Sequence, residues 1–86
     1  MSEQEIVART RAFIEQSFLP IRNAPQLDEG FPLFARGVID SMGAMELVAF
    51  LEREYGITVG PQEITEQNIG TLKDIGRFVL SKRPEG

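Results

Sequence analysis

The stretch DSMGAMELVAFLEREYG, residues 40–56, decides how this 86-residue sequence is understood, because it contains the start, body and end of one helix. Asp40 is a residue type whose side chain accepts hydrogen bonds from the first free amides of a helix. Gly56 follows Tyr55, at the place where a left-handed residue commonly closes a helix. We therefore predict a helix that runs from Asp40 or Ser41 to Tyr55.

This predicted helix has apolar residues on two sides when successive residues are placed about 100° apart around its axis. The side predicted to face the core holds Ala44, Leu47, Val48, Leu51 and Tyr55. The other side holds three more apolar residues, Met42, Met45 and Ala49, beside Glu46 and Arg53. Because a bundle helix needs only one apolar face, the second one indicates a surface for contact with partners, to which flexible methionine side chains are suited. The alternative is that Met42 and Met45 pack beneath a connecting loop. Phe50 falls between the two sides and is not assigned to either.

Another helix is predicted before this stretch. Ser2 and Glu5 form a capping-box pattern at its start, and Pro20 ends it because proline cannot continue a helix. Its buried face is predicted to hold Ile6, Val7, Thr10, Phe13, Ile14, Ser17 and Phe18. Residues 19–39 then form a long connection that contains several prolines and glycines but also many apolar residues. This composition favours a path across the core, with a short helical turn near residues 32–34.

Two further helices are predicted after Gly56. A short one begins at Gly60-Pro61, where proline suits the first helical position, and fades by Asn68 to Gly70. The last one begins at Thr71, and its buried stripe is predicted to hold Leu72, Ile75, Phe78 and Val79. The expected fold is all-α: a four-helix bundle with three longer helices, one short helix and a long loop between helices one and two, in a single domain over residues 1–86.

The side chains that the sequence lacks exclude several kinds of active site. There is no Cys and no His, which excludes a disulfide framework, a Ser-His-Asp triad and His-ligated zinc. The net charge of −4 disfavours binding to nucleic acid or to an anionic membrane, and no apolar run is long enough to span a bilayer. The acidic start lacks the pattern of a secretory signal, so we expect a cytoplasmic protein. We also expect a monomer, and we expect the acidic middle of the chain, residues 40–66, to be the binding region.

Ser41 is the candidate reactive residue, because its hydroxyl lies at the start of the helix that has both apolar sides. Backbone amides and the positive end of the helix dipole favour a phosphate at such a position. Serine is also a common helix cap with no other role, so the physics of the position leaves both interpretations open.

The sequence Asp40-Ser41-Met42 resembles the Asp-Ser-Leu signature of acyl and peptidyl carrier proteins, and methionine conserves the volume of the usual leucine. The resemblance extends over nearly the whole chain. Residues 32–39 look like the family's approach to the motif, and residues 45–48 and 51–57 look like its recognition helix and exit. Residues 62–65 and 69–72 look like its closing segments.

The resemblance implies that 4'-phosphopantetheine from coenzyme A is attached to the Ser41 oxygen, with Asp40 as the cap residue of the motif. It implies a carrier with no catalytic and no metal-binding residue, which holds acyl or aminoacyl groups as thioesters. The implied partners are a phosphopantetheinyl transferase, an acyl- or aminoacyl-loading ligase and downstream acyl-processing enzymes. The surface on which they dock is predicted to hold Met42, Met45, Glu46, Ala49, Glu52 and Arg53.

Gly43 stands where fatty-acid carriers usually have an acidic residue, and Ser-Met-Gly resembles D-alanyl and other aminoacyl carriers. This slightly favours a dedicated aminoacyl or secondary-metabolic pathway over fatty-acid synthesis. Two hypotheses of other classes are an unmodified helical adaptor with the same fold, and a small enzyme that uses Asp40 or Glu46 with Ser41. The enzyme hypothesis requires a pocket and a base with a tuned pKa, and the sequence indicates neither.

Overall fold

The computed structural model describes residues 2–17 and 27–83, and every regular element within these ranges is helical. The described elements are α1 (Glu3–Ser17), α2 (Ser41–Tyr55), a 3-10 turn (Pro61–Glu63), α3 (Glu66–Ile69) and α4 (Leu72–Lys82). Three longer helices and one short helix, with a long connection between α1 and α2, confirm the predicted all-α four-helix class. Within the described ranges, no helix is both long enough and apolar enough to cross a membrane.

Helices α1 and α4 begin where the sequence provides a side chain for their first amides. The Ser2 hydroxyl accepts a hydrogen bond of 3.1 Å from the Glu5 amide, and the Thr71 hydroxyl accepts one of 3.0 Å from the Asp74 amide. At the other end of α2, Gly56 has a φ of 68°, a left-handed conformation that glycine adopts without steric cost. These local patterns explain why the starts of α1 and α4 and the end of α2 could be predicted.

The predicted short third helix is interrupted in the structure. The 3-10 turn ends at Glu63, and Thr65 is extended, with φ −131° and ψ 163°, before α3 begins at Glu66. The Thr65 hydroxyl accepts a hydrogen bond of 3.3 Å from the Asn68 amide, so Thr65 starts a new helix rather than continuing the old one. Threonine competes with helical hydrogen bonding in this way, which the expectation of one continuous helix did not take into account.

The core forms where α1 packs against α4 and α4 packs against α3. The predicted stripe of α4 is fully confirmed as buried, and so are the α1 residues Ile6, Val7, Thr10 and Ile14, with Phe13 packed against them. Ser17 was predicted on the same face but is exposed, because it is the last residue of α1 and no described core residue covers it. Phe18 and the predicted helix end at Pro20 lie outside the described residues.

Helix α2 buries its predicted core side, and Phe50 joins that side. The Phe50 ring stacks on the Phe13 ring of α1 at 4.2 Å between centroids, and Tyr55 meets Phe50 edge-on at 6.2 Å. The Tyr55 hydroxyl donates a hydrogen bond of 3.5 Å to the Ile6 carbonyl, and burial raises the pKa of the Tyr55 phenol above its usual 10.0. These contacts fix α2 against α1.

The described part of the connection, residues 27–40, lies across the core as predicted. Its buried side chains are Leu27, Leu33, Val38 and Ile39. The Arg36 amide donates to the Pro32 carbonyl at 3.1 Å, which confirms a helical turn here. Leu33 also joins this segment to the end of α3, because its amide donates to the Gly70 carbonyl at 2.9 Å. The segment that leads into α2 is therefore held against the end of α3 by a backbone hydrogen bond.

Candidate functional site

Ser41 is the first residue of α2, and its side chain is exposed. The chain reaches it through Gly37, whose φ of 78° is left-handed, and then through the buried residues Val38 and Ile39. The amides of both buried residues donate to the Leu33 carbonyl, at 2.9 and 3.2 Å. The exposed hydroxyl is thus presented from a backbone that is anchored immediately before it.

Asp40 caps α2 as the sequence predicted. Its backbone is extended, its Oδ1 atom accepts a hydrogen bond of 2.8 Å from the Gly43 amide, and its carbonyl accepts one of 2.8 Å from the Ala44 amide. The carboxylate is therefore bonded to the helix start. The positive end of the α2 dipole lies beside Ser41, and this favours an attached phosphodiester.

A groove of about 310 Å³ opens beside Ser41, between α2 and the segment that leads into α3. On the α2 side it is lined by Ser41, Ala44 and Met45. The facing wall comprises Phe34, Ile64, Thr65, Glu66 and Ile69. Sequence analysis did not identify this wall as part of the site, because its residues are distant from Ser41 in sequence and only the packing of α3 brings them near.

The facing wall is anchored by Glu63, the residue that precedes Ile64. Its Oε1 atom accepts hydrogen bonds of 2.9 Å from the Gly60 amide and from Lys82 Nζ, and Lys82 Nζ also donates to Oε2 at 3.0 Å. The Gly60 hydrogen bond, followed by the contact with Lys82, lowers the pKa of the Glu63 carboxyl below its usual 4.5. The wall is thereby tied to the last turn of α4.

The second apolar side of α2 is open to solvent. Met42 is 80% exposed and Met45 is 59% exposed, and the remaining predicted surface residues Glu46, Ala49 and Arg53 are also exposed. The structure therefore does not support the alternative that Met42 and Met45 pack beneath the connecting loop. It brings these five residues together on one side of the helix that starts at Ser41.

Glu52, predicted as part of the same surface, is placed differently. It is half-buried, and its Oε2 atom accepts a hydrogen bond of 2.8 Å from the Val59 amide. Neighbouring Glu54 forms an ion pair of 2.8 Å with Arg9 of α1. Neither partnership was visible in the sequence, because both depend on how α2 packs. In residues 2–17 and 27–83, no group of three or more acidic side chains is arranged to hold a metal ion.

Comparison with known proteins agrees with this geometry. A family model described as "Phosphopantetheine attachment site" matches residues 16–79. The chain is also 36% identical over 61 residues to the "Probable acyl carrier protein PigG" of Serratia sp. (strain ATCC 39006), an alignment that covers 69% of this chain and 70% of that protein. This chain therefore belongs to the phosphopantetheine attachment family of carrier proteins, whose members carry a covalently attached 4'-phosphopantetheine group.

Proposed function

We propose that the chain holds acyl or aminoacyl groups as thioesters on a 4'-phosphopantetheine arm attached to Ser41, and presents them to partner enzymes without catalysing a reaction itself. The observation that carries the proposal is the position of Ser41. It is an exposed hydroxyl at the first residue of a 15-residue helix, in the family's motif and beside a groove.

The residues around Ser41 fit a bulky phosphodiester. The hydroxyl is exposed, so a transferase can reach it, and the preceding cap keeps the helix start intact. A groove of about 310 Å³ is at the small end of the range of ligand pockets and can accept part of the arm or its cargo. Because Phe34, Ile64 and Ile69 line it, it suits an apolar segment better than a charged one.

In the attachment reaction, the Ser41 Oγ atom attacks the phosphorus of coenzyme A that bears the pantetheine, and the adenosine bisphosphate part leaves. The proton of the hydroxyl passes to a base of the transferase, since the chain contains no His. The group then supplies a thiol, the one functional group of thioester chemistry that this sequence, with no Cys, does not encode.

The proposed partners are a phosphopantetheinyl transferase, a ligase that loads the acyl or aminoacyl group, and enzymes that process it. The exposed side of α2 supports this proposal because it starts beside Ser41 and offers apolar contacts through Met42 and Met45. Such a surface suits brief contacts with several enzymes, because methionine adapts to differently shaped partners.

Within this role, a dedicated aminoacyl or secondary-metabolic pathway is favoured over fatty-acid synthesis. The support is Gly43, which is buried at the start of α2 and provides no charge where fatty-acid carriers usually have an acid.

The proposal is tested by the intact mass of the purified protein before and after incubation with coenzyme A, magnesium and a broad-specificity phosphopantetheinyl transferase. We expect the mass to rise by one phosphopantetheine in the wild type and not to change in Ser41→Ala. Ser17→Ala is a matched control, because Ser17 is an exposed serine on another helix and its loss should leave loading intact.

Loading of Ser41→Ala would place the attachment site elsewhere in the chain. A wild-type protein that is free of the group and gains no mass would favour the second hypothesis, an unmodified helical adaptor with the carrier fold. Circular dichroism of Ser41→Ala should match the wild type, so that loss of loading is not confused with loss of fold.

A further inference from the structure

Few side chains of this protein react readily with a peroxide. The sequence contains no Cys, Trp or His, and its sulfur-containing residues are three methionines, Met1, Met42 and Met45. The single tyrosine, Tyr55, is buried against α1. Met1 lies outside the described residues. Within the described ranges, mild oxidation is therefore directed to two thioethers, and both are exposed on α2.

Met42 and Met45 flank the proposed attachment residue. Met42 follows Ser41 directly in the chain, so their Cα atoms are about 3.8 Å apart. Met45 is four residues after Ser41, a spacing at which helical Cβ atoms are about 5–6 Å apart on one face. Met45 also lines the groove together with Ser41. A change in the chemistry of these two thioethers therefore takes place at the site itself.

The packing of the described core does not depend on a methionine at either position. Both side chains are largely exposed. Leucine, which occupies the position of Met42 in the Asp-Ser-Leu signature, has a similar volume and no sulfur atom. What methionine adds at these positions, besides flexibility, is a sulfur atom that can accept one oxygen atom.

We propose that Met42 and Met45 form an oxidation site, at which a peroxide converts the thioethers to sulfoxides and thereby slows attachment of the arm at Ser41. In each step a sulfur lone pair attacks one oxygen atom of the peroxide, and the O–O bond breaks. With hydrogen peroxide the products are methionine sulfoxide and water, so the sulfur loses two electrons and the peroxide gains them. The inference rests on the proposed attachment at Ser41, because that is the reaction the oxidation slows.

A sulfoxide at these positions affects contacts at Ser41 more than it affects the fold. An exposed sulfoxide stays hydrated in the folded and in the unfolded chain, so oxidation changes stability little. A transferase that reaches the Ser41 Oγ atom also removes water from the adjacent Met42 side chain. Dehydration of a polar group without a new hydrogen bond is unfavourable. The effect requires only that Met42 adjoins Ser41 and does not depend on how the transferase is oriented.

The first part of the experiment treats the unmodified protein with dilute hydrogen peroxide, which is removed before any assay. Intact mass counts the oxygen atoms added, and peptide mapping assigns them to residues. We expect one oxygen atom on Met42 and one on Met45, with Met42 oxidised first because it is the more exposed. Circular dichroism and thermal unfolding of the oxidised protein should match those of the untreated protein.

The second part measures kcat/KM for arm transfer by a broad-specificity phosphopantetheinyl transferase with coenzyme A and magnesium. We expect oxidation to lower kcat/KM of the wild type about tenfold. Methionine sulfoxide reductases supplied with a dithiol, which is oxidised to a disulfide as the sulfoxide returns to the thioether, should restore it.

The matched control is the double variant Met42→Leu with Met45→Leu. It conserves side-chain volume at both positions and retains Met1 as an oxidisable residue. Before peroxide treatment its kcat/KM should lie within about twofold of the wild type, because leucine keeps both positions apolar. Peroxide treatment should leave that value unchanged.

The proposal is overturned if peroxide adds no oxygen to Met42 and Met45, if the oxidised wild type is loaded as fast as the untreated protein, or if the double variant is slowed equally. Unfolding on oxidation would also overturn it, because it would place the methionines in the core. In all these cases the untreated wild type is still loaded, so attachment at Ser41 stands. Failure of the untreated wild type to gain the arm would instead overturn the proposed function.

Discussion

Both sides of α2 have apolar side chains, but one side is buried and the other is exposed to solvent. Leu47 has no exposed surface, whereas Met45, two residues earlier, is 59% exposed. Burying a side chain of this size contributes about 1.5–3 kcal/mol to stability, and an exposed side chain contributes little of that. The comparison teaches that an apolar residue on this helix serves the fold on one side, and on the other side remains available to a partner.

The largest change in stability is expected from a substitution on the buried side of α2. Leu47→Ala should destabilise the protein by about 2–5 kcal/mol, because it removes fully buried atoms and leaves a cavity. Chemical denaturation measures the change. Met45→Ala is the matched control on the exposed side and should change stability by no more than about 0.5 kcal/mol. Equal losses of stability in the two variants would show that both sides of α2 are part of the core.

A smaller effect is expected when the exposed side is made polar. If Met45 contacts the transferase, Met45→Glu should lower kcat/KM for arm transfer to Ser41 about tenfold, because a carboxylate would replace an apolar side chain in that contact. Its free energy of unfolding should stay close to that of the wild type, since the new side chain remains in water. Collapse of the fold in Met45→Glu would mean that Met45 belongs to the core.

The smallest effect concerns the wall across the groove from Met45. Because the folded-state pKa of Glu63 lies below 4.5, its ionised form stabilises the fold above that pH, and this contribution is lost as the pH falls through the lowered pKa. Glu63→Gln should therefore unfold at a slightly lower temperature than the wild type at neutral pH, with the difference shrinking in acid.

Thermal unfolding over a pH series measures this difference. Glu66→Gln, which replaces an exposed acid on the same segment, is the control for the loss of one negative charge. A difference for Glu63→Gln that grows as the pH falls below 4.5 would contradict the role given to its contacts with Gly60 and Lys82.

Most of the fold could be predicted because its determinants are local. Helical spacing identified the buried side of α2, and the caps at Ser2, Asp40 and Thr71 act within three residues of themselves. The break at Thr65 was missed because proline at the start of a helix indicates where it begins but not how far it continues. Phe50 could not be assigned to a side until the stacking on Phe13 was seen.

The candidate site could also be predicted only where its residues are close together in the sequence. The motif at Ser41 and the methionines beside it are visible in the sequence, because they lie on one helix. The facing wall of the groove and the internal partners of Glu52 and Glu54 depend on contacts between distant segments. Counting charges along α2 consequently overstated how acidic its accessible surface is.

The backbone bonds of Leu33 have a consequence for how steadily Ser41 is held. Its amide donates to Gly70, its carbonyl accepts from Val38 and Ile39, and its side chain has no exposed surface. Exchange of the Leu33 amide with solvent deuterium therefore requires the segment before Ser41 to separate from the end of α3. Its exchange rate reports how often Ser41, the proposed attachment point of the arm, leaves its place, independently of any motion of the arm.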